Sequence, residues 1–193
     1  ISKEKASSFK RKDLRDTLTF TIDPDDAKDF DDALSFKKLK NNNVEIGIHI
    51  ADVTHYLEKN TLLDKEAKKR ATSVYLSDRV VPMLPEILSN DLCSLNPNSF
   101  NIIGKDFSKC LINSNERMSY QEAQYVIENK NGKLSTDVTI TKKKRSLSKE
   151  LVEAILHLNT VALKLKEKRK NEGSVFFNKE EVRFVVNDQG EPI

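Results

Sequence analysis

Six aspartates fall within ten positions, at Asp23, Asp25, Asp26, Asp29, Asp31 and Asp32, with Lys28 the only cation among them. Carboxylates this close repel one another, so a folded arrangement needs a cation, protonation or outward splaying. The segment is not a solvated tail. An apolar-alternating run (Leu18, Phe20, Ile22) precedes it and another (Ala33, Leu34, Phe36) follows it. Carboxylates held between two strands provide the hard oxygen donors that Mg2+ and similar cations require. Metal-assisted chemistry on a phosphate is therefore the first expectation.

Other carboxylate chemistries fit less well. Asp23 and Asp25 imitate the opening of a calcium loop, which needs an oxygen ligand at its fifth position, Gly at its sixth and Glu at its twelfth. This chain has Ala27, Lys28 and Leu34 there. A glycosidase pair would not need so many acids. Two-metal hydrolysis uses several, holding ions about 4 Å apart so that one activates water and the other stabilises the leaving oxygen. An acidic turn without a ligand remains open on the local pattern alone.

The elements that must position these acids can be traced from periodicity. Thr17 to Asp23 alternates as a strand, and Pro24 opens the acidic loop. Ala33 to Leu39 reads as a second strand and Asn41 to Asn43 as the turn after it. Val44, Ile46, Ile48 and Ile50 share one face of a third strand, which delivers His49 and Asp52 to its end. Asn60 and Thr61 offer a cap for a helix over Leu62 to Arg70. Pro85 opens a short helix running to Cys93. Ser119 and Glu122 have capping-box spacing for a helix over Tyr120 to Glu128, with Gly132 after it. The longest helix runs from Ser148 to Asn171, its apolar stripe formed by Leu151, Ile155, Leu158, Ala162 and Leu165, and Gly173 ends it. Short strands are expected at Ser174 to Phe177 and Val182 to Val186, and a turn at Asn187 to Gly190. Strands and helices in this order make an α+β fold rather than a doubly wound one.

Composition sets the outer bounds. The 193 residues suit one domain or a large piece of one, with 37% hydrophobic and 33% charged residues. No apolar run approaches the roughly 20 residues that span a bilayer, and Ile1 to Lys12 lacks the apolar core of a signal peptide. Cys93 and Cys110 have no metal-type spacing and form no disulfide framework, so a reducing cytoplasm is the expected location. The net charge of +3 is unevenly spread: basic runs at Lys3 to Arg15, Lys37 to Lys40, Lys65 to Arg70, Lys142 to Arg145 and Lys164 to Lys170 surround one acidic spot. That distribution suits a polyanion cut at one phosphate, although each run also reads as a solvated face.

The remaining candidates have quieter readings. His49 lies near Asp52, but a strand-end histidine satisfied by local hydrogen bonds is the simpler account. His55 and His157 have no evident partners. Cys93 reads as a small buried apolar side chain.

The string TIDPDDAKDFDDALS (residues 21–35) resembles the signature of the RNB family, the catalytic domain of exoribonucleases of the RNase R and RNase II type. DLRD (13–16), HIADV (49–53), LDKEAKKRATSVYL (63–76), VPMLPEILSNDLCSLNP (81–97), INSNERMSYQEAQ (112–124) and the region 173–177 extend the likeness in register. It implies a mixed, largely antiparallel sheet packed with helices, with residues 1–193 forming the N-terminal portion of an RNB catalytic domain. The implied activity is processive 3′→5′ hydrolysis of single-stranded RNA to nucleoside 5′-monophosphates with one or two Mg2+ ions, for which Mn2+ can substitute. The four functional acids of the motif fall on Asp23, Asp29, Asp31 and Asp32. Asp23 and Asp32 are expected to ligate metal directly, Asp29 to help hold a second ion, and Asp31 to cost most turnover when lost. Tyr75 matches the tyrosine that stacks on a base near the 3′ end. Asp25 and Asp26 match no functional position and are expected to face solvent.

The chain also departs from the pattern. The family's downstream arginine near the scissile phosphate has no counterpart before Ile193, and flanking cold-shock and S1 domains are expected in a longer parent protein, of which a chain opening at Ile1 reads as a cut piece. Between Pro97 and Asn113 the chain is shorter than such relatives by roughly one strand and its turn. Further readings stay open: an RNA-binding RNB-like module without catalysis, a fragment inactive on its own, and a structural divalent-cation site in an unrelated protein.

Overall fold

A computed structural model describes residues 11–41, 43–76, 79–95, 100–105, 108–175 and 187. The chain begins with β1 (Lys12–Asp13), β2 (Thr19–Asp23), β3 (Asp32–Lys38) and β4 (Val44–Ile50). Helix α1 (Leu62–Arg70), the hairpin strands β5 (Val74–Tyr75) and β6 (Val80–Val81), and a short π-type helix (Ile87–Leu92) follow. Next come β7 (Phe100–Lys105), β8 (Ser108–Asn113), β9 (Glu116–Ser119) and α2 (Tyr120–Asn129). The pair β10 (Lys133–Leu134) and β11 (Arg145–Ser146) then leads into α3 (Lys149–Asn171). The expected helix starts are met. Thr61, Ser119 and Ser148 each accept a backbone N–H at an N-cap, and Ser119 with Glu122 closes a capping box.

The central sheet has the order β4-β3-β2-β9, antiparallel except for the parallel β2–β9 pair. A second sheet, β1-β8-β7, is also mixed. The fold is α+β with mixed, largely antiparallel sheets. One face of the central sheet packs Phe20, Phe36 and Met118 against Val126 of α2 and Leu151, Ala154 and Ile155 of α3. A second core lies around Phe30, Ala33, Leu95, Cys110 and Ile112, and a third joins Ala67 of α1 to Leu84, Leu88 and Cys93. Cys93 is buried as expected, and burial pushes its thiol up to about 11.

Several expectations change. On β4 only Val44 and Ile46 pack against the core; Ile48 is 57% and Ile50 41% exposed, while His49 on the opposite face is 4% exposed. Gly47 permits that burial, because a Cβ there would lie 2.3 Å from Ser35 Oγ and 2.7 Å from His49 Nε2. The stripe of α3 is covered only in its first half, leaving Ala162 and Leu165 exposed. Helix α2 ends through Lys130 in the left-handed conformation (φ 53°). Gly132 serves close packing instead, since a Cβ there would sit 2.8 Å from Val152 Cγ2. Between residues 97 and 113 the described chain forms β7 and β8 in register from Phe100↔Asn113 to Lys105↔Ser108. Ser174 and Val175 are not in a strand. The rest of that expected strand, the strand at 182–186 and all of the expected turn but Asn187 lie outside the described residues. No described helix is long and apolar enough to cross a membrane.

Candidate acidic site at the ends of β2 and β3

Strands β2 and β3 pair only through Thr19↔Ser35 and Phe20↔Leu34. Beyond that point the acidic loop, residues 24–31, separates Asp23 at the end of β2 from Asp32 at the start of β3. The loop is fixed along its length. Ala27 donates to the Pro24 carbonyl at 3.2 Å, making a tight turn. Phe30 N–H donates to Ser94 Oγ (2.9 Å), Leu95 N–H to the Phe30 carbonyl (2.8 Å) and Ala51 N–H to the Asp31 carbonyl (3.0 Å). Phe30 itself is buried and anchors the loop in the second core.

Asp23 is buried, and its Oδ2 has no hydrogen-bond partner. Burial raises its carboxyl above the ordinary range, and the charges of Asp32 and Asp31 add to that. The Thr21 hydroxyl, near but without hydrogen-bonding geometry, and the Arg117 guanidinium pull the other way. Asp31 is also raised, by desolvation and then by Asp29 and Asp32. Repulsion thus links Asp23 to Asp31 and Asp32, and Asp31 to Asp29 and Asp32. Asp25 and Asp26 are exposed, as expected. Among the described residues, no three His, Cys, Asp or Glu side chains are already gathered as a metal cage. An unpartnered buried carboxylate oxygen beside further carboxylates is nevertheless a donor set suited to a hard divalent cation.

Arg117 on β9 escaped the sequence reading. It is the register partner of Thr21 in the parallel pair. Its Nη2 donates to the carbonyls of Asp25 (2.9 Å), Ala27 (3.2 Å) and Pro24 (3.5 Å), and its guanidinium carbon lies 4.7 Å from the centre of the Phe30 ring. Sequence separation hides this contact, since Arg117 lies 90 to 93 positions from the carbonyls it reaches.

Tyr75 stands on the short β5–β6 hairpin with 71% of its surface exposed, paired in register with Val80. His49 is satisfied locally: its Nε2 lies 2.8 Å from Ser35 Oγ, and burial lowers its pKa. Asp52 does not pair with His49. It meets Lys109 Nζ at 2.9 Å, Thr54 Oγ1 at 2.6 Å and Arg11 at 3.5 Å; burial opposes ionisation, but these contacts outweigh it and hold the carboxyl low. Two expectations about partners are corrected. His55 Nδ1 lies 3.5 Å from Arg11 Nη2, and His157 Nδ1 lies 3.3 Å from the Glu153 carbonyl. The 142–145 run divides, because Arg145 is drawn inward by Glu116 and by the buried Glu122 while Lys142 to Lys144 stay exposed.

Comparison with known proteins agrees with this architecture. Ribonuclease R 1 of Lactococcus lactis is 40% identical over 95% of this chain and 23% of its own length. DIS3-like exonuclease 2 of Schizosaccharomyces pombe is 42% identical over 95% of this chain and 21% of its own length. The chain thus spans less than a quarter of these relatives. The structure of Mycoplasma genitalium RNase R in complex with ribose-methylated single-stranded RNA superposes with a TM-score of 0.79 at 30% identity, covering 100% of this chain and 30% of that one. The family model for the RNB domain matches residues 11–193, and the chain belongs to the RNB family.

Proposed function

We propose that this chain carries the acidic half of an RNA-degrading site, as the N-terminal portion of an RNB catalytic domain in a protein that also bears cold-shock and S1 domains. The reaction is 3′→5′ processive hydrolysis of single-stranded RNA to nucleoside 5′-monophosphates. The observation that carries the reading is the repelling set of Asp23, Asp29, Asp31 and Asp32, held in place by the loop's backbone contacts, with one buried Asp23 oxygen unpartnered. Membership of the RNB family and the names of the relatives support the same assignment.

Asp23, Asp29, Asp31 and Asp32 would hold Mg2+, or Mn2+ in its place, which when bound supplies an activated water and neutralises charge on the leaving oxygen. The chain's own part is to bind and orient. Asp23 and Asp32 stand at the ends of the two strands, Asp29 lies between them, and Asp31 is the acid on which turnover depends most. Tyr75 offers an exposed ring on which a base near the 3′ end can stack. The expected location is cytoplasmic.

The test is a gel time course on 5′-labelled single-stranded RNA, with and without Mg2+, for the protein and for Asp31→Asn, with RNA affinity measured in parallel. Metal-dependent shortening to a small end product, lost in the variant while RNA still binds, is expected. RNA bound but never shortened in any divalent ion would mean that this chain lacks a complete site; the same result with the longer protein would make it an RNA-binding module instead.

A further inference from the structure

Three buried polar atoms without partners lie on adjacent β2 and β9: Thr21 Oγ1, Asp23 Oδ2 and Arg117 Nε. Thr21 and Arg117 are opposite each other in the parallel register, and Asp23 is two residues further along β2, so all three side chains share one face of the pair. That face lies beneath the acidic loop. From it the Arg117 guanidinium reaches three loop carbonyls, those of Pro24, Asp25 and Ala27, and rests on the Phe30 ring. A planar cation with several fixed donors is suited to such a task, whereas an ammonium offers a single nitrogen.

Asp31 and Asp32 are exposed as well as Asp25 and Asp26, but Arg117 bears on only the first part of the loop. The Asp25 carbonyl is turned inward to Arg117, while the Asp25 and Asp26 side chains are exposed. One side chain on a distant strand thus sets the loop's path.

We propose that Arg117 is a positioning residue of the acidic site: by clamping the carbonyls of residues 24, 25 and 27 it keeps Asp23 in reach of Asp31 and Asp32 for a divalent cation. This rests on the metal-dependent reading above and deepens it. The side chain touches neither RNA nor metal in this role. It acts through the loop backbone.

The experiment is an Mn2+ titration followed by electron paramagnetic resonance on the protein, Arg117→Lys and Arg117→Gln, with melting temperature, RNA affinity and cleavage measured beside it. Removing a partner that orients metal ligands typically lowers metal affinity about 10–100-fold. A loss of that size in both variants, with melting and RNA affinity close to those of the parent, is the expected result, the lysine variant losing less than the glutamine variant. Unchanged Mn2+ affinity in both would overturn the proposal while leaving the functional reading intact. Loss of the fold in both would overturn it too, since Arg117 would then support the sheet rather than the site. A parent protein that neither binds Mn2+ nor cuts RNA would instead remove the functional reading on which the proposal stands.

Discussion

His49 on β4 and Ser35 on β3 meet across the antiparallel ladder with Nε2 and Oγ 2.8 Å apart, buried between the two sheets. The register offsets them by two pairs, Ala33 facing His49 and Gly47 facing Ser35, so the imidazole lies back over Gly47. Burial there favours the neutral ring, and the lowered pKa follows. This neutral ring contributes stability that is present above the unfolded value of about 6.5. That stability is lost as pH falls toward the lowered folded value. We expect the urea midpoint to decline between pH 7.5 and 5, and His49→Gln to flatten the decline. Equal slopes for the two proteins would show that another group is responsible.

Much of this architecture could be read from the residues. Alternation at Thr19–Asp23 and the caps at Thr61, Ser119 and Ser148 act through local backbone geometry, which sequence spacing encodes directly. The acidic cluster was equally visible. The burial of β4 was not, because its apolar alternation at Val44, Ile46, Ile48 and Ile50 points to one face while His49 and Gly47 pack on the other. Which face is covered depends on β8 and its Cys110, 61 positions from His49. Arg117 was hidden for the same reason, reaching the loop across 90 to 93 positions.

Asp52 and Arg11 form an ion pair whose side chains are 5% and 1% exposed, with Lys109 completing the group. Removing the carboxylate takes an opposite charge away from a buried guanidinium. Asp52→Ala should cost about 3–5 kcal/mol of unfolding free energy. Pairing it with Arg11→Met should restore part of that loss, because the buried positive charge is then gone as well. Chemical denaturation of the two single variants and the double variant measures the coupling; strictly additive losses would mean that the pair does not interact.

The split within the acidic loop can be tested without disturbing the fold. Asp25 and Asp26 are exposed, and the loop is held by backbone carbonyls rather than by their side chains. The double change Asp25→Asn with Asp26→Asn should leave RNA cleavage and its Mg2+ dependence near the parent level, in the assay where Asp31→Asn is expected to abolish cleavage. A comparable loss in the double variant would widen the functional set beyond Asp23, Asp29, Asp31 and Asp32.

Tyr75 separates binding from stability. Its hairpin is held by only two register pairs, Val74↔Val81 and Tyr75↔Val80, and most of its ring lies in solvent. Removing the ring therefore uncovers little apolar surface within the chain, and Tyr75→Ala should leave the melting temperature nearly unchanged. A base stacked on that ring would contribute about 1–3 kcal/mol, so the same variant should bind single-stranded RNA more weakly by that amount in a filter-binding titration. Tyr75→Phe keeps the π face and should bind like the parent, because stacking needs the ring and not the hydroxyl. If alanine and phenylalanine both bind RNA as the parent does, the ring does not stack on RNA.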